Sequence, residues 1–549
     1  MNYFLTYTVY VLILSVLMGI STWKLFKKMG YNPLLAFVPF YNYFIILKET
    51  KHPKWWAILS YLPIVGPIMM SVFHIYLMKK FGKNLFQHQL LTVILPFIYM
   101  ATVNYSKDAE IEDEDANDLF ITDEEKTAKK KDTFIGSITF AVVFATIIHV
   151  FVTQPFGIPT GSMERTLLVG DFLFVNKWSY GYRMPMRPVA IPFLQGTVMD
   201  TGQKGNPKDD PKSYVDGIKL PYTRIFQFSK PQRNDVVVFN YPQDSVHTAI
   251  DRKDPYVKRC VAAAGDTFEM RAGRLFVNGK PETVLGDQEV QHRYIVNTGS
   301  QLDIPSLYNT YGFLPVQEIQ GEKEGYIYAF QGLTDKTAKE IRELPQVVDM
   351  KEDVTPKGEA AVYYRDEAKT RIDTTQSIFP INKPWNQDWY GPLKIPKKGD
   401  VVTLNQETLP EYRWIISEYE HNSLENKNGK IFINGKEATQ YTIKQDYYMM
   451  VGDNRDASLD ARFFGFVPEE NIVGKPMFTW LSIQGAFADA SSTYQAPKKI
   501  RWDRMFKATN TGEANKTSYW WIAAMILILF FGWEYFMKLF RKKKTEDEV

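Results

Sequence analysis

Five stretches of this chain are apolar enough to cross a lipid bilayer, and no other feature constrains its fold as strongly. A spanning helix needs about 20 apolar residues with almost no charge, because hydrocarbon solvates neither charges nor unpaired backbone groups. Met1–Trp23, Trp55–Met78, Asn84–Ser106 and Thr133–Gln154 carry no Asp, Glu, Lys or Arg, and Ser518–Met537 carries only Glu534. Each is expected to span. Met29–Leu47 is also uncharged, but Asn32, Pro33, Pro39 and Asn42 interrupt it. It reads as an interfacial or re-entrant segment. Met1–Trp23 lacks a basic start, and its lysines (Lys24, Lys27, Lys28) follow the apolar run, so it reads as an uncleaved anchor rather than a removable leader.

Basic residues collect on the cytoplasmic side of membrane helices. Lys129–Lys131 precede the Thr133 run and Arg541–Lys544 follow the last one, so both clusters are expected inside and 155–517 outside. Five spans then put the amino terminus outside, the Lys24–Lys54 loop inside and Lys79–Lys83 outside. The expected organisation is a multi-helix membrane region (1–106), an acidic cytoplasmic linker (107–132), a transmembrane anchor (133–154), an extracytoplasmic domain (155–517) and a C-terminal helix with a basic tail (518–549).

Net charge is only +3, which argues against a nucleic-acid partner. One cysteine, Cys260, excludes an internal disulfide and a Cys-rich metal site. Seven histidines without an H-E-x-x-H pattern argue against a zinc peptidase.

The 155–517 region reads as mainly antiparallel β. Short β-branched runs such as Asp235–Phe239 and Lys430–Asn434 are bounded by turn residues, and Asn278-Gly279 and Asn434-Gly435 are hairpin signals. An internal echo pairs Pro231–Asn240 with Pro396–Asn405, and Phe276–Lys280 with Phe432–Lys436. It reflects either duplication or recurrent strand–turn chemistry. Residues 282–395 carry no readable motif and read as a large β insertion.

Four segments hold the groups that could do chemistry. Ile158-Pro-Thr-Gly-Ser162-Met-Glu-Arg-Thr-Leu167 places a serine after a glycine that lets the backbone turn, just beyond the Thr133 run. A serine is a weak nucleophile unless a base takes its proton. Asp235–Phe239 is the second segment. In Tyr256-Val-Lys258-Arg-Cys260-Val, strand alternation puts Tyr256, Lys258 and Cys260 on one face. The fourth, Gly452-Asp-Asn-Arg-Asp-Ala-Ser458-Leu-Asp460-Ala-Arg462, superficially matches a calcium loop, but Arg455 occupies a ligand position.

Taken together and in this order, the four segments resemble the boxes of bacterial type I signal peptidases, the Ser/Lys-dyad peptidases. The resemblance covers roughly 155–267 and 447–476. Arg165 stands where many members have Pro, Asn234 where Gly is usual, and Ala457 where Asn is common. The resemblance implies a signal-peptidase-like β fold and a membrane-bound endopeptidase that removes signal peptides from exported preproteins. It implies Ser162 as nucleophile and Lys258 as base, with Ser458 hydrogen-bonded to Lys258. Asp460 and Arg462 would be a supporting ion pair, and Thr160 a second oxyanion donor beside the Ser162 backbone N–H. It implies no cofactor or metal. The partners implied are preproteins and membrane lipid, with the export translocon as a candidate. The location implied is the bacterial inner membrane, with the active domain on the periplasmic face and pockets for small residues before the cut. Trp385, Trp389 and Tyr390 are candidates for lipid headgroup contact or for core packing. A Ser-His-Asp hydrolase using His247, His292 or His421, and a non-enzymatic assembly protein, are the competing readings.

Overall fold

The computed structural model describes residues 2–107, 109–111, 134–199, 207–247, 249–286, 288–312, 316–320, 325–359, 378–487, 495–509, 517–525 and 528. The acidic linker, Lys129–Lys131, most of Ser518–Met537 and the basic tail therefore lie outside the described residues. The chain forms two compact units. One comprises Met1–Thr153 with Gly181–Gln227 and Asp244–Asp254. The other comprises Gln154–Tyr180, Phe228–Gln243 and Pro255–Val549.

The first unit is helical. Helix α1 (Tyr3–Lys28) is the one helix among the described residues that is long and apolar enough to cross a membrane. Its 26 residues extend about 39 Å at ~1.5 Å per residue. The other runs depart from the expectation of single spanning helices. Trp55–Met78 divides into a 3₁₀ segment (Lys54–Tyr61) and an α-helix (Val65–Lys80), with α2 (Tyr41–Glu49) ahead of them, so the second helix is α3. Pro63, which cannot donate a helical hydrogen bond, sits at the break. Asn84–Ser106 likewise divides into α4 (Phe86–Ile94) and α5 (Pro96–Tyr105), the second opening on Pro96. Helix α6 (Phe134–Phe151) precedes the β unit.

These breaks correct one expectation. Tyr31 donates to Glu49 Oε1 at 2.7 Å, and Lys80 Nζ lies 3.1 Å from Glu49 Oε2. The chain at 31, 49 and 80 therefore meets at one end of the bundle, and Lys79–Lys83 sits beside Lys24–Lys28 rather than on the opposite side. At the other end of α1, Tyr3 Oη donates to the carbonyl of Pro185 at 3.1 Å, Ile64 N–H to Pro188 at 2.8 Å, and Tyr182 Oη to Val150 at 3.0 Å. Residues 181–227, read from sequence as part of the β region, are held to the helices by these bonds.

The second unit is β, mostly antiparallel. Its main sheet runs, in spatial order, Thr153–Gly157, Asp171–Asn176, Ile472–Gln484, Val236–Asn240, Pro255–Ala262, Tyr447–Val451 and Val467–Pro468. The Val236–Asn240 and Tyr447–Val451 strands are buried on both faces, so neither shows simple alternation. Their core includes Val237, Phe239, Met449 and Met450. Tyr390 is buried in that core and Trp385 packs against it, so both take the packing role rather than a lipid one.

The internal echo is structural. Asn278 and Asn434 both have positive φ, as do the glycines that follow, which is the backbone of a tight hairpin turn. Asn278 N–H donates to Thr267 O while Thr267 N–H donates to the Asn278 side chain; Asn434 and Ser423 repeat this pair of bonds. The Asp235 and Asp400 carboxylates also cap the same turn, accepting from Gln232 N–H and Lys397 N–H. Within the insertion, a four-stranded sheet (Val316–Gln320, Tyr326–Leu333, His292–Thr298, Val347–Glu352) has its own apolar core, with α7 (Ile304–Tyr311) and α8 (Asp335–Arg342) contributing Leu307 and Ile341.

Candidate active site

Ser162 sits in a one-turn 3₁₀ segment, Gly161–Met163, that opens just beyond the Thr153–Gly157 strand. Met163 anchors the turn in a small core with Ile158, Leu167, Leu173 and Val236. Gly170 closes the loop at φ +90, and a Cβ there would stand 1.9 Å from the carbonyl oxygen of Ile483, so only glycine fits. Lys258 comes from the Pro255–Ala262 strand, paired opposite Val237. Both side chains are buried, and Lys258 Nζ donates to Ser162 Oγ at 2.8 Å and to the carbonyl of Val257 at 3.0 Å.

Burial lowers the pKa of Lys258 to about 8, although the charges of Asp460 and Asp453 pull it upward. A fraction of this amine is therefore neutral near pH 7, as an exposed lysine would not be. An amine next to a hydroxyl in this state can take its proton. The partner of Ser162 Oγ is this lysine and not a histidine. His247 Nδ1 is instead paired with Asp244 at 2.7 Å.

The 452–462 loop frames the pair. Arg462 grips Asp460 with two bonds of 2.9 Å, both residues buried, and Asp460 also accepts the Gly452 N–H at 3.1 Å. The expected ion pair is present. Ser458 departs from expectation: its buried Oγ has no hydrogen-bond partner, so it does not bond Lys258. It packs where a side chain on Gly452 would stand, 2.3 Å from that position, while the lysine directs its bonds to Ser162 and Val257. Thr160 is exposed and stands in extended backbone just ahead of the nucleophile turn, its hydroxyl making no capping bond.

Sequence reading missed two residues. Asp453 is fully buried and takes bonds from Arg259 Nε at 2.8 Å, Arg259 Nη2 at 2.6 Å and Thr166 Oγ1 at 2.6 Å, tying three segments together. Asn454 donates its backbone N–H to the Ser162 carbonyl at 3.2 Å and its amide to the Gly161 carbonyl at 3.1 Å. Their types were visible in the loop, but no local signal gives partners this distant in sequence. An apolar groove lined by Phe156, Ile158, Leu173, Val257, Ala457 and Leu459 leads to Ser162 and Lys258, with Thr160 on its wall.

Comparison with known proteins agrees with this geometry. Residues 131–349 and 391–481, over half of the chain, match the family described as signal peptidase, peptidase S26. Residues 34–113 match a family of unknown function. The chain is 27% identical over 379 residues to signal peptidase I of Haemophilus influenzae, covering 68% of this chain and 75% of that protein. It is 26% identical over 379 residues to signal peptidase I of Helicobacter pylori, covering 68% and 92%. With signal peptidase I of Buchnera aphidicola (the Schizaphis graminum symbiont) it shares 25% over 350 residues, covering 63% and 73%. The β unit, its buried serine–lysine contact and these matches together make the chain a member of the signal peptidase family, peptidase S26.

Proposed function

We propose that this membrane-anchored serine endopeptidase removes signal peptides from exported preproteins, with Ser162 as nucleophile and Lys258 as general base. The observation that carries the reading is the 2.8 Å contact between a hydroxyl and a buried amine of lowered pKa. In the reaction, Lys258 is neutral and accepts the Ser162 proton as Oγ bonds to the scissile carbonyl carbon. The Ser162 backbone N–H and the Thr160 hydroxyl hold the oxyanion, and one such donor is commonly worth about 3–4 kcal/mol. The C–N bond then breaks, and the leaving amine takes the proton from Lys258. Water, deprotonated by the same amine, hydrolyses the ester and frees the signal peptide carboxylate. Arg259 cannot substitute as base, because guanidinium does not lose its proton near neutrality.

The substrate is an extended peptide lying in the groove beside the Pro255–Ala262 strand. Branched and aromatic walls at Phe156, Leu173 and Val257 support a preference for small residues before the cut. Ala457 keeps that wall apolar. Asp460 and Arg462 hold the loop in shape, and Ser458 packs against it.

We further propose that α1 and α6 cross the inner membrane, with the amino terminus and residues 155–517 on the periplasmic side. The bonds of Tyr3 to Pro185 and of Val150 to Tyr182, which gather the outer ends of both helices around 182–185, support this. So does the meeting of Lys48 and Lys80 with Tyr31 and Glu49 just past Lys28 at the other end, in line with the positive-inside bias. Segments 29–49, 54–80 and 86–105 enter and leave from that inner side.

Ser162→Ala and Lys258→Ala, made singly, are each expected to abolish cleavage of a preprotein while membrane insertion stays intact. Full activity in Lys258→Ala would eliminate the dyad.

A further inference from the structure

The inserted region reaches the nucleophile turn through a short chain of contacts. Gln291, just ahead of the His292–Thr298 strand and fully buried, bridges the 452–462 loop with two backbone bonds. Its N–H donates to Asp453 O, and Arg455 N–H donates to its carbonyl, both at 3.0 Å. Its side-chain amide donates to Gly332 O at 3.1 Å, within the insertion's own sheet. Arg293 N–H adds a bond to the Asp456 carboxylate at 2.8 Å.

Asn454 lies at the centre of this junction. On one side it holds the carbonyls of Gly161 and Ser162. On the other it fills the space that a side chain at position 332 would occupy. A Cβ on Gly332 would stand 2.9 Å from Asn454 Nδ2 and 3.1 Å from its Oδ1. Gly332 is absent from the positive-φ glycines, so its backbone tolerates alanine, and it is the close approach of the Asn454 amide, with Gln291 Oε1 at 3.1 Å beside it, that excludes a side chain.

We propose that the inserted sheet is a positioning device for Ser162. Gln291 holds the residues on either side of Asn454, Gly332 leaves its side chain room, and Asn454 fixes the two carbonyls that set where the Ser162 hydroxyl points. The sheet has its own apolar core, so it provides a rigid surface for the loop rather than a flexible cover. Gln291 and Gly332 are positioning residues, acting through the 453–455 segment that carries Asn454. This inference rests on Ser162 being the nucleophile.

The test is a double-mutant cycle on the full-length enzyme in detergent micelles, with kcat and KM measured on a preprotein. Misplacement by about 1 Å can cost on the order of 100-fold. Gly332→Ala is expected to lower kcat about 10-fold to 100-fold, with KM within about twofold of wild type. In an Asn454→Ala background the same change is expected to have little further effect, because the amide it meets most closely is gone and the vacated space lets Gln291 Oε1 give way. Multiplicative effects, or an unchanged kcat in Gly332→Ala, would overturn the proposal. Gln291→Ala serves in place of Gly332→Ala if the latter does not fold, with the same expected loss in kcat. Ser162→Ala separates the two levels. Cleavage by that variant removes the nucleophile reading itself, whereas a dead Ser162→Ala beside a multiplicative cycle removes only the positioning role.

Discussion

A buried amine is costly, and Lys258 carries that cost at the point where the chemistry needs it. Its pKa falls from 10.5 to about 8 because burial disfavours the ammonium. The unfolded chain therefore holds this proton more tightly than the folded one. Stability drops as pH falls from about 10.5 to about 8 and stays reduced below that, by roughly 3 kcal/mol at ~1.4 kcal/mol per pKa unit. Lys258→Met keeps the volume and removes the charge. It is expected to raise the thermal unfolding midpoint at pH 7 while losing cleavage; a lowered midpoint would show that the amine is not strained. Glu164 has the opposite sign. Burial pushes its carboxyl up to about 8, so its stabilisation is complete below the ordinary carboxylate range and is lost as pH rises through about 8. Glu164→Gln should melt like wild type near pH 4.5 and above it by a margin that widens to pH 8.

Among elements, the nucleophile turn, the Lys258 strand and the 452–462 loop are locked by Asp453. Arg259→Met would leave that carboxylate buried without its cation, and the expected loss is about 3–5 kcal/mol. Thermal melts of the purified protein check this, and a variant as stable as wild type would contradict it. Asp453 also shows where sequence reading stops. Strands, hairpins and the order of the boxes were legible because they are local: Asn278-Gly279 and Asn434-Gly435 dictate their turns through backbone sterics alone. The bonds of Asp453 to Arg259 and Thr166 span 194 and 287 residues, and nothing within either segment encodes the other. Ser458 was misjudged for a related reason. Its closeness to the dyad was implied by the box, but a hydrogen bond depends on where the lysine spends its protons, and that is set by the strand it grows from.

Across the whole molecule, apolar length picked out the helical unit, yet it could not tell one continuous helix from a broken one. Pro63 and Pro96 turn two uncharged runs back on themselves, and composition is blind to that geometry. Cys260, the sole cysteine, is buried, so single cysteines placed elsewhere can be labelled selectively. Lys27→Cys and Lys83→Cys are expected to react with an impermeant thiol reagent from the same, cytoplasmic side; labelling of Lys83→Cys from outside would refute the reversal. Within the β unit the account rests on the contact of Lys258 with Ser162, and its protonation can be read directly from rate. The acidic limb of kcat/KM for preprotein cleavage reports the free enzyme's base. It is expected to rise with a midpoint near 8, as the Lys258 amine predicts. A profile flat from about pH 6 to pH 9, or a limb near the histidine value of ~6.5, would contradict a lysine base.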